Sequence, residues 1–270
     1  MLELVGMKKY LTLAKLSFQQ QLIYRGNILM YRFGEFANTI ISFLILVVLY
    51  GTQETVRGYT LAEVITYITG VGIIDALSRT WVADEIERDV HQGRLSVYLL
   101  KPIRYFRLQL TYDLSRKQIS SWFSVCTYLL VILFVRNYFI LNTDVLRWVL
   151  FLTSVGCVIL LRFLLLFMVG LFSFWLIRIG GVQFSFEVLL RIMSGSTLPL
   201  EFFPAALEAT ARLLPFAYMQ YFSMQIYLGK ISMLEAVKGL GVQLFWIAVL
   251  LLLVKFVWKK ALRRYESVGI

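Results

Sequence analysis

The residues best suited to chemistry are concentrated in one strongly charged stretch, residues 84–117, which is called the charged segment below. It holds seven of the 27 Lys and Arg residues and five of the 16 Asp and Glu residues. Four carboxylates lie within its first six residues, and His91, the only histidine of the chain, follows them. One histidine is too few for a zinc site built from several histidines, and His91 lies in the charged segment rather than in an apolar run, so a membrane-buried Ser-His-Asp triad is not expected either. The pattern instead favours docking of another protein.

The start of the charged segment has the signals of a short helix closed at both ends. Asp84 can cap free backbone N–H groups, and Glu87, three residues later, can reach back as in a capping box. Gly93 suits the left-handed conformation that often ends a helix. We therefore expect a helix over Glu85–Gln92, with His91 as one of its solvated residues.

A second set of charges lies within apolar runs. Asp75 and Arg79 are four residues apart, as are Glu187 and Arg191, so each pair can neutralise itself on one helix face. Arg162 has no evident partner in its own helix; it can snorkel to the interface, pair with Glu187 or face a polar cavity. Because intramembrane charge is costly and often functional, Glu187, Arg191 and Arg162 are candidates for a substrate path. Purely structural pairing is the alternative for Glu187 and Arg191.

Other familiar site chemistry is missing from the sequence. The chain has no GxxxxGK[ST] phosphate loop; Gly229-Lys230-Ile231-Ser232 is the nearest string and lacks its essential glycine and hydroxyl positions. No cluster with metal-ligand spacing is visible. Cys126 and Cys157 lie inside apolar runs, so no disulfide framework is expected. If ATP is used, another chain must bind it.

Composition defines the class of protein. Hydrophobic residues make up 59% of the chain, charged residues only 16%, and the mean hydropathy is +0.74. These values predict a polytopic helical membrane protein. The net charge of +11 arises from basic residues between apolar runs, which is the pattern of membrane topology rather than of nucleic-acid binding. We expect no nucleic-acid partner and no removable signal peptide.

The apolar runs predict an all-α fold in a single transmembrane domain, residues 1–270. Residues 8–24 fit an interfacial elbow helix, with a basic face toward lipid head groups. Pro199, Pro204 and Pro215 interrupt residues 199–238, so we expect re-entrant helices there, outside the membrane or at its edge. The six predicted spans are 33–51, 61–83, 118–135, 146–177, 179–198 and 239–258.

Basic residues also predict the orientation. With both termini and the charged segment on one side, that side receives 17 Lys and Arg residues and the other side six. The excess of basic residues marks the cytoplasmic side. We therefore expect both termini and the charged segment in the cytoplasm.

Two groups of residues resemble a known family. The charged segment carries an apolar residue, then Gly-x-Leu, then Leu-Leu before a proline; near the end, Ser194-Gly195 precedes Pro199, Pro204 and Leu213-Leu214-Pro215-Phe216. Over nearly the whole chain, this order resembles the membrane permease subunits of type-2 ABC exporters, and most of all the uncharacterised branch that uses two permeases. The matching residues of the charged segment are Ile86, Gly93, Leu95, Leu99, Leu100 and Pro102.

The resemblance implies a non-enzymatic half-transporter in the inner (cytoplasmic) membrane. A cytoplasmic ABC ATPase dimer would bind ATP and magnesium, and a second permease, identical or different, would complete an export path. Residues 84–117 would be the coupling segment, and the three prolines of residues 199–238 would belong to a re-entrant gate. The implied ATPase-docking residues are Glu85, Ile86, Glu87, Arg88, Asp89, Gly93 and Arg94.

Two other classes of function compete with this interpretation. A secondary transporter or channel that works without an ATPase would show paired inverted repeats and broken helices at the membrane midplane. The sequence has one broken segment, near the outer edge, with no counterpart in its first half. An integral membrane enzyme is disfavoured because the apolar runs hold no histidine, no thiol beside a base and no metal-ligand set.

Overall fold

The computed structural model of the chain describes residues 40–265, except 42, 49 and 52 and the side chains of 118–120. The predicted elbow helix and the first seven residues of the first predicted span, 33–39, lie outside the described residues. Those of residues 40–50 that are described are helical.

The described part is almost entirely helical, with one two-stranded hairpin, β1 (Thr55–Val56) and β2 (Tyr59–Thr60). Single-turn 3-10 helices occupy Arg136–Tyr138, Phe172–Phe174 and Leu200–Phe202. The α-helices that come after the hairpin are α1 (Leu61–Ser78), α2 (Val82–His91), α3 (Arg94–Leu100), α4 (Tyr105–Phe134), α5 (Val145–Leu171), α6 (Gly180–Met193), α7 (Ala205–Leu213), α8 (Gln220–Leu228) and α9 (Met233–Arg264).

The hairpin fixes where α1 begins. Arg57 and Gly58 both have positive φ angles, 52° and 81°, as a two-residue turn between paired strands requires. Thr60 then caps α1: its side chain accepts a hydrogen bond from the Glu63 backbone, and the Glu63 carboxylate accepts one from the Thr60 N–H at 2.8 Å. This capping box ends the hairpin and starts the helix within one residue.

Helix α5 forms the centre of the fold. It packs against α1, α2, α8 and α9. Its C-terminal part, from Ser154 to Leu171, is mostly buried. Leu161 and Phe163 have no exposed surface. A helix that is apolar all round is stable only when other helices or lipid surround it. The helices that pack around α5 include α2 of the charged segment.

Among the described residues, four helical segments are long and apolar enough to cross a membrane: Leu61–His91, Tyr105–Phe134, Val145–Phe174 and Met233–Arg264. The fifth predicted span, residues 179–198, contains α6, which ends at Met193. Its 14 residues reach only about 21 Å, less than the hydrocarbon core of about 30 Å. The predicted count of six spans therefore stays a prediction, while the polytopic helical class is confirmed.

Several predicted boundaries are wrong for identifiable reasons. Helix α2 begins at Val82 rather than at residue 85, and its N-cap, Trp81, provides no side-chain hydrogen bond. The expected capping box of Asp84 and Glu87 does not form, because both carboxylates bind α6 or the residue before it. Gly93, with φ of 69°, does occupy the left-handed conformation.

The charged segment continues into the next long helix, so the predicted span 118–135 stays a prediction. Its last 13 residues, 105–117, are the first turns of α4, which continues unbroken to Phe134. The ionic partners of Asp113, Arg116 and Lys117 lie within the protein, so these charges do not exclude a helix. Likewise α9 begins at Met233, six residues before the predicted span, because Ser232 and Glu235 form a capping box.

The proline-rich stretch forms short helices, as expected. Pro199 precedes the 3-10 turn, Pro204 is the N-cap of α7, and Pro215 lies between α7 and α8. Proline lacks the N–H that a helix interior needs, and at these positions none is needed. The position of these helices relative to the membrane stays a prediction.

Candidate functional site

Helix α2, the core of the charged segment, packs tightly against the end of α5. Ile86 has no exposed surface and lies over Gly170. A Cβ atom added to Gly170 would lie 2.8 Å from the Ile86 Cδ1 atom and 3.0 Å from the Ala83 Cα atom. The two helices can approach this closely only because position 170 has no side chain.

Two carboxylates of α2 bind the start of α6. The Glu87 Oε1 atom accepts a hydrogen bond of 2.9 Å from the backbone N–H of Ile179, the residue before the helix. The Asp84 Oδ2 atom accepts one of 3.1 Å from the Gln183 Nε2 atom. A helix N-terminus has free N–H groups and a partial positive charge, so it favours nearby carboxylates. These contacts attach α6 to α2.

The other two carboxylates of α2 bind its neighbours α3 and α4. Glu85 forms an ion pair with Arg116 and a second one, of 2.7 Å, with Arg88. The Asp89 Oδ2 atom accepts hydrogen bonds of 2.8 Å from both the Tyr105 hydroxyl and the Gln109 Nε2 atom.

The Asp89 Oδ1 atom lies 3.2 Å from the Arg94 Nε atom of α3. With Asp84 and Glu87, all four acids of α2 are thus engaged inside the protein.

Helix α3 differs from α2 because most of its side chains face outward. Leu95 is fully buried, whereas Val97 is 52% exposed and Leu100 is 88% exposed. The exposed basic residues around it are Arg88, Arg94, Lys101 and Arg104. The charged segment therefore turns its acids inward and presents basic and apolar side chains.

The end of α9 braces the charged segment from the opposite side. The Trp258 ring stacks on the Tyr105 ring, with centroids 5.1 Å apart and an interplanar angle of 7°. The Tyr265 hydroxyl lies 2.8 Å from the Ser96 Oγ atom of α3, and its ring packs against Phe174. This brace could not be predicted from the sequence, since aromatic residues near the end of a span are ordinary interfacial residues.

A cluster of partly buried charges joins α1 to α5. Asp75 pairs with Arg79, as predicted, at 2.8 Å, and also with Arg162 of α5. The Arg162 NH1 atom donates a further hydrogen bond of 3.2 Å to the Ser78 Oγ atom. The partner of Arg162 is therefore Asp75, which was not among its three predicted environments.

The same layer continues to α4 at the break between α1 and α2. The Lys117 Nζ atom lies 2.6 Å from the Asp113 Oδ2 atom, and the Thr80 hydroxyl donates a hydrogen bond of 2.6 Å to the other oxygen. Asp75 lies about 21 Å along α1, and Arg162 about 26 Å along α5, from the hairpin end. The charges thus lie at a similar distance from the hairpin, near the end of the helices that carries the charged segment.

The predicted pair of Glu187 and Arg191 does not form among the described side chains. The Glu187 Oε1 atom accepts a hydrogen bond of 3.2 Å from Gln183, and the Arg191 side chain is exposed. Gln183 thereby links Glu187 to Asp84 of α2. Whether Glu187 or Arg191 contacts a substrate stays a prediction.

Glu201 is the centre of a polar cluster at the hairpin end. It accepts hydrogen bonds from the Tyr59 hydroxyl, at 3.1 Å, and from the Tyr221 hydroxyl, and it lies 3.4 Å from Arg212. Gln225 donates a hydrogen bond to the Tyr59 hydroxyl. Burial, and next the hydrogen bond to Glu201, raise the pKa of Tyr221, so this phenol stays a neutral donor.

The long apolar helices and the helical content of the described residues define an all-α polytopic membrane protein. A family model described as ABC-2 family transporter protein matches residues 36–269. The chain belongs to this family and is an ABC transporter permease, a multi-pass membrane protein of a kind that is normally non-enzymatic. No curated protein matches the chain. Among the described residues, no group of three or more His, Cys, Asp or Glu is placed to hold a metal ion.

Proposed function

We propose that this chain is the permease subunit of an ABC exporter in the inner membrane, with both termini in the cytoplasm. A separate cytoplasmic ABC ATPase dimer binds ATP and magnesium, and a second permease, identical or different, completes the path. The observation that carries the proposal, beyond the family itself, is the division of the charged segment. Helix α2 is bonded to the membrane helices, and α3 presents a surface that another protein can contact.

The docking edge is the outward side of α3 and the loop after it. Leu100 and Val97 are among the exposed large apolar side chains, and the exposed residues Lys101 and Arg94 lie within three residues of one or the other in the sequence. An exposed apolar patch with a charged rim is typical of a protein interface. The ATPase surface that fits it is an apolar groove bordered by acidic residues.

This proposal narrows the docking residues expected from the sequence. Arg88 and Arg94 remain exposed and keep a direct docking role. Ile86 is buried, and Glu85, Glu87 and Asp89 have internal partners, so these four residues hold α2 in place. Gly93 provides the left-handed bend that turns the chain from α2 into α3.

A push on α3 passes through α2 to the membrane helices. The packing of Ile86 on Gly170 makes α2 move with the end of α5, and Glu87 makes the start of α6 move with them. Helix α1 is separated from α2 by the non-helical residues 79–81, so it can change its angle. Packed elements of this kind move as units rather than deform, and the tilt of these helices relative to the second permease opens the path.

At the other end, the segment of Pro199, Pro204 and Pro215 acts as the outer gate. Glu201 connects this segment to the β-hairpin through Tyr59, and Lys230, farther along residues 199–238, forms an ion pair of 2.6 Å with Glu63 of α1. Release of substrate requires these contacts to change. The gate and the docking edge therefore lie at opposite ends of α1 and α5.

Co-purification and ATP hydrolysis test this function. The full chain is isolated from its native membranes in mild detergent, and co-purified proteins are identified by mass spectrometry. We expect an ABC ATPase at a fixed ratio and magnesium-dependent ATP hydrolysis by the complex. Leu100→Glu places a charge in the centre of the docking edge and should reduce the captured ATPase at least tenfold.

Leu213→Glu is the matched control. Leu213 is 78% exposed, close to the value for Leu100, but it ends α7 in the proposed gate. This variant should capture the ATPase as the wild type does. A chain that transports under an ion gradient without any ATPase would refute the proposed function, and equal capture by both variants would refute the docking edge.

A further inference from the structure

Helix α9 exposes a long apolar face that ends in basic residues. Five large apolar side chains, each at least 43% exposed, line this face: Leu244, Phe245, Leu251, Leu252 and Phe256. Because α9 is a candidate membrane span, this face has the composition of a surface in contact with lipid hydrocarbon. The last turns of α9, beyond Phe256, therefore lie where the hydrocarbon ends.

The basic residues at and beyond the end of this face have no acidic partners within the described part of the chain. All five are exposed, and no Asp or Glu occurs between residues 236 and 265. The Lys260 Nζ atom lies 4.5 Å from the centroid of the Phe256 ring, which is its only described contact of this kind. The five residues, together called the basic collar, are Lys255, Lys259, Lys260, Arg263 and Arg264.

Two further basic residues lie beside the collar. The stacked rings of Tyr105 and Trp258 bring the first turn of α4 against the last turns of α9. Arg104 and Arg107 flank Tyr105 in the sequence, are exposed, and form no ion pair with any described residue. On the same side of the fold, the acids of α2 are turned inward, so the described part of the chain leaves the collar unneutralised.

The depth of the collar matches the head-group region of a bilayer. From Phe256 to Arg264, α9 advances about 12 Å. The head-group layer adds about 5–8 Å on each side of the hydrocarbon core, and lysine and arginine side chains span the remaining distance. Clusters of four to eight basic residues directly beyond a membrane helix attract anionic lipids.

We propose that the basic collar binds the phosphate groups of anionic phospholipids in the leaflet next to the charged segment. Lipid is the proposed partner because the exposed apolar face of α9, which contacts hydrocarbon, continues directly into the exposed basic residues. The docking edge for the ATPase is a separate surface, formed by α3. Binding therefore depends on membrane insertion and needs no ATPase.

Native mass spectrometry of the purified full chain in detergent tests this proposal. Phosphatidylglycerol and phosphatidylcholine are titrated separately, and bound lipids are counted. We expect phosphatidylglycerol to bind at least tenfold more tightly. A collar variant should bind phosphatidylglycerol at least tenfold more weakly than the wild type, because each basic residue near an anionic surface contributes about 1 kcal/mol, roughly fivefold. Its four substitutions are Lys259→Gln, Lys260→Gln, Arg263→Gln and Arg264→Gln.

Two control variants separate lipid binding from other causes. Exchanging lysine and arginine at the same four positions keeps the charge and should keep the affinity. Arg57→Gln, Arg136→Gln and Lys238→Gln remove exposed basic residues near the opposite end of the helices and should leave the affinity unchanged. Thermal unfolding in phosphatidylcholine nanodiscs shows that each variant is folded.

Three results would overturn the proposal. The first is equal affinity of the wild type for both lipids. The second is an equal loss of phosphatidylglycerol binding in the control with three substitutions. The third is unchanged lipid binding but lost ATPase capture in the collar variant, which would make the collar a protein-docking surface.

Discussion

Helices α2 and α3 are separated by only two residues, yet they have opposite relations to the rest of the protein. In α2, four carboxylates and Ile86 contact α4, α5 and the start of α6. In α3, only Leu95 is fully buried, and Leu100 projects outward. The comparison teaches that charge density does not identify a docking surface. The location of each charge's partner decides whether the charge is available.

The largest expected effect on stability concerns the ion pair that joins α1 to α5, the helix against which α2 packs. Arg162→Ala removes one partner of a partly buried carboxylate, Asp75, and leaves only Arg79 among the described ion-pair partners of that group. We expect the free energy of unfolding to fall by about 3 kcal/mol, the upper end for hydrogen bonds to charged groups. Unfolding by a denaturing detergent measures it. Arg191→Ala, at an exposed position, should change the value by less than about 0.5 kcal/mol.

The next effect tests the contact between α2 and α5. Gly170→Ala places a methyl group 2.8 Å from the Ile86 Cδ1 atom and should destabilise the protein by about 1–3 kcal/mol. Gly156→Ala is the control on the same helix, because its added Cβ atom meets nothing within 4 Å. The control should be neutral or stabilising by up to about 1 kcal/mol. Equal effects in the same unfolding assay would contradict tight packing of α2.

A smaller effect on stability should accompany a large one on coupling. Glu87→Gln keeps an acceptor for the Ile179 N–H but removes the negative charge, worth about 0.3–1 kcal/mol near a helix N-terminus. We expect this variant to capture the ATPase as the wild type does. Its ATP hydrolysis should be less tightly coupled to transport. If capture fails while the chain stays folded, Glu87 belongs to the docking edge and the division between α2 and α3 is wrong.

The smallest effect on stability is expected in α3. Leu100→Ala removes an 88% exposed side chain and should change the free energy of unfolding by no more than about 0.5 kcal/mol. Detergent unfolding without the ATPase measures this value. A loss above about 1 kcal/mol would show that Leu100 packs against the rest of the chain, and α3 would then be a second anchored helix.

The helical class and the family could be recognised from the sequence because they depend on long apolar runs and on local motifs. Gly93 was correctly placed in a left-handed bend, and Asp75 with Arg79 as a pair, because both depend on neighbours within four residues. The prolines of residues 199–238 were correctly associated with short helices for the same reason.

The contacts of the site could not be predicted because they join distant parts of the chain. Asp75 and Arg162 are 87 residues apart, and Glu87 and Ile179 are 92 residues apart. A capping box for Asp84 and Glu87 was a reasonable local prediction, but both carboxylates instead accept hydrogen bonds from residues 179 and 183, which are distant in the sequence. The start of α4 at Tyr105 could not be predicted either, because the partners that hold its first charged turns lie on other turns and other helices.

Amide hydrogen exchange of the permease, alone and in complex with its ATPase, tests the central claim most directly. We predict that amides of α2 are protected in both states, because α2 is anchored by the permease itself. Amides of α3 should exchange rapidly in the permease alone and become protected in the complex. Rapid exchange in α2 that the ATPase suppresses, or no change in α3, would contradict the division of the charged segment into an anchored helix and a docking helix.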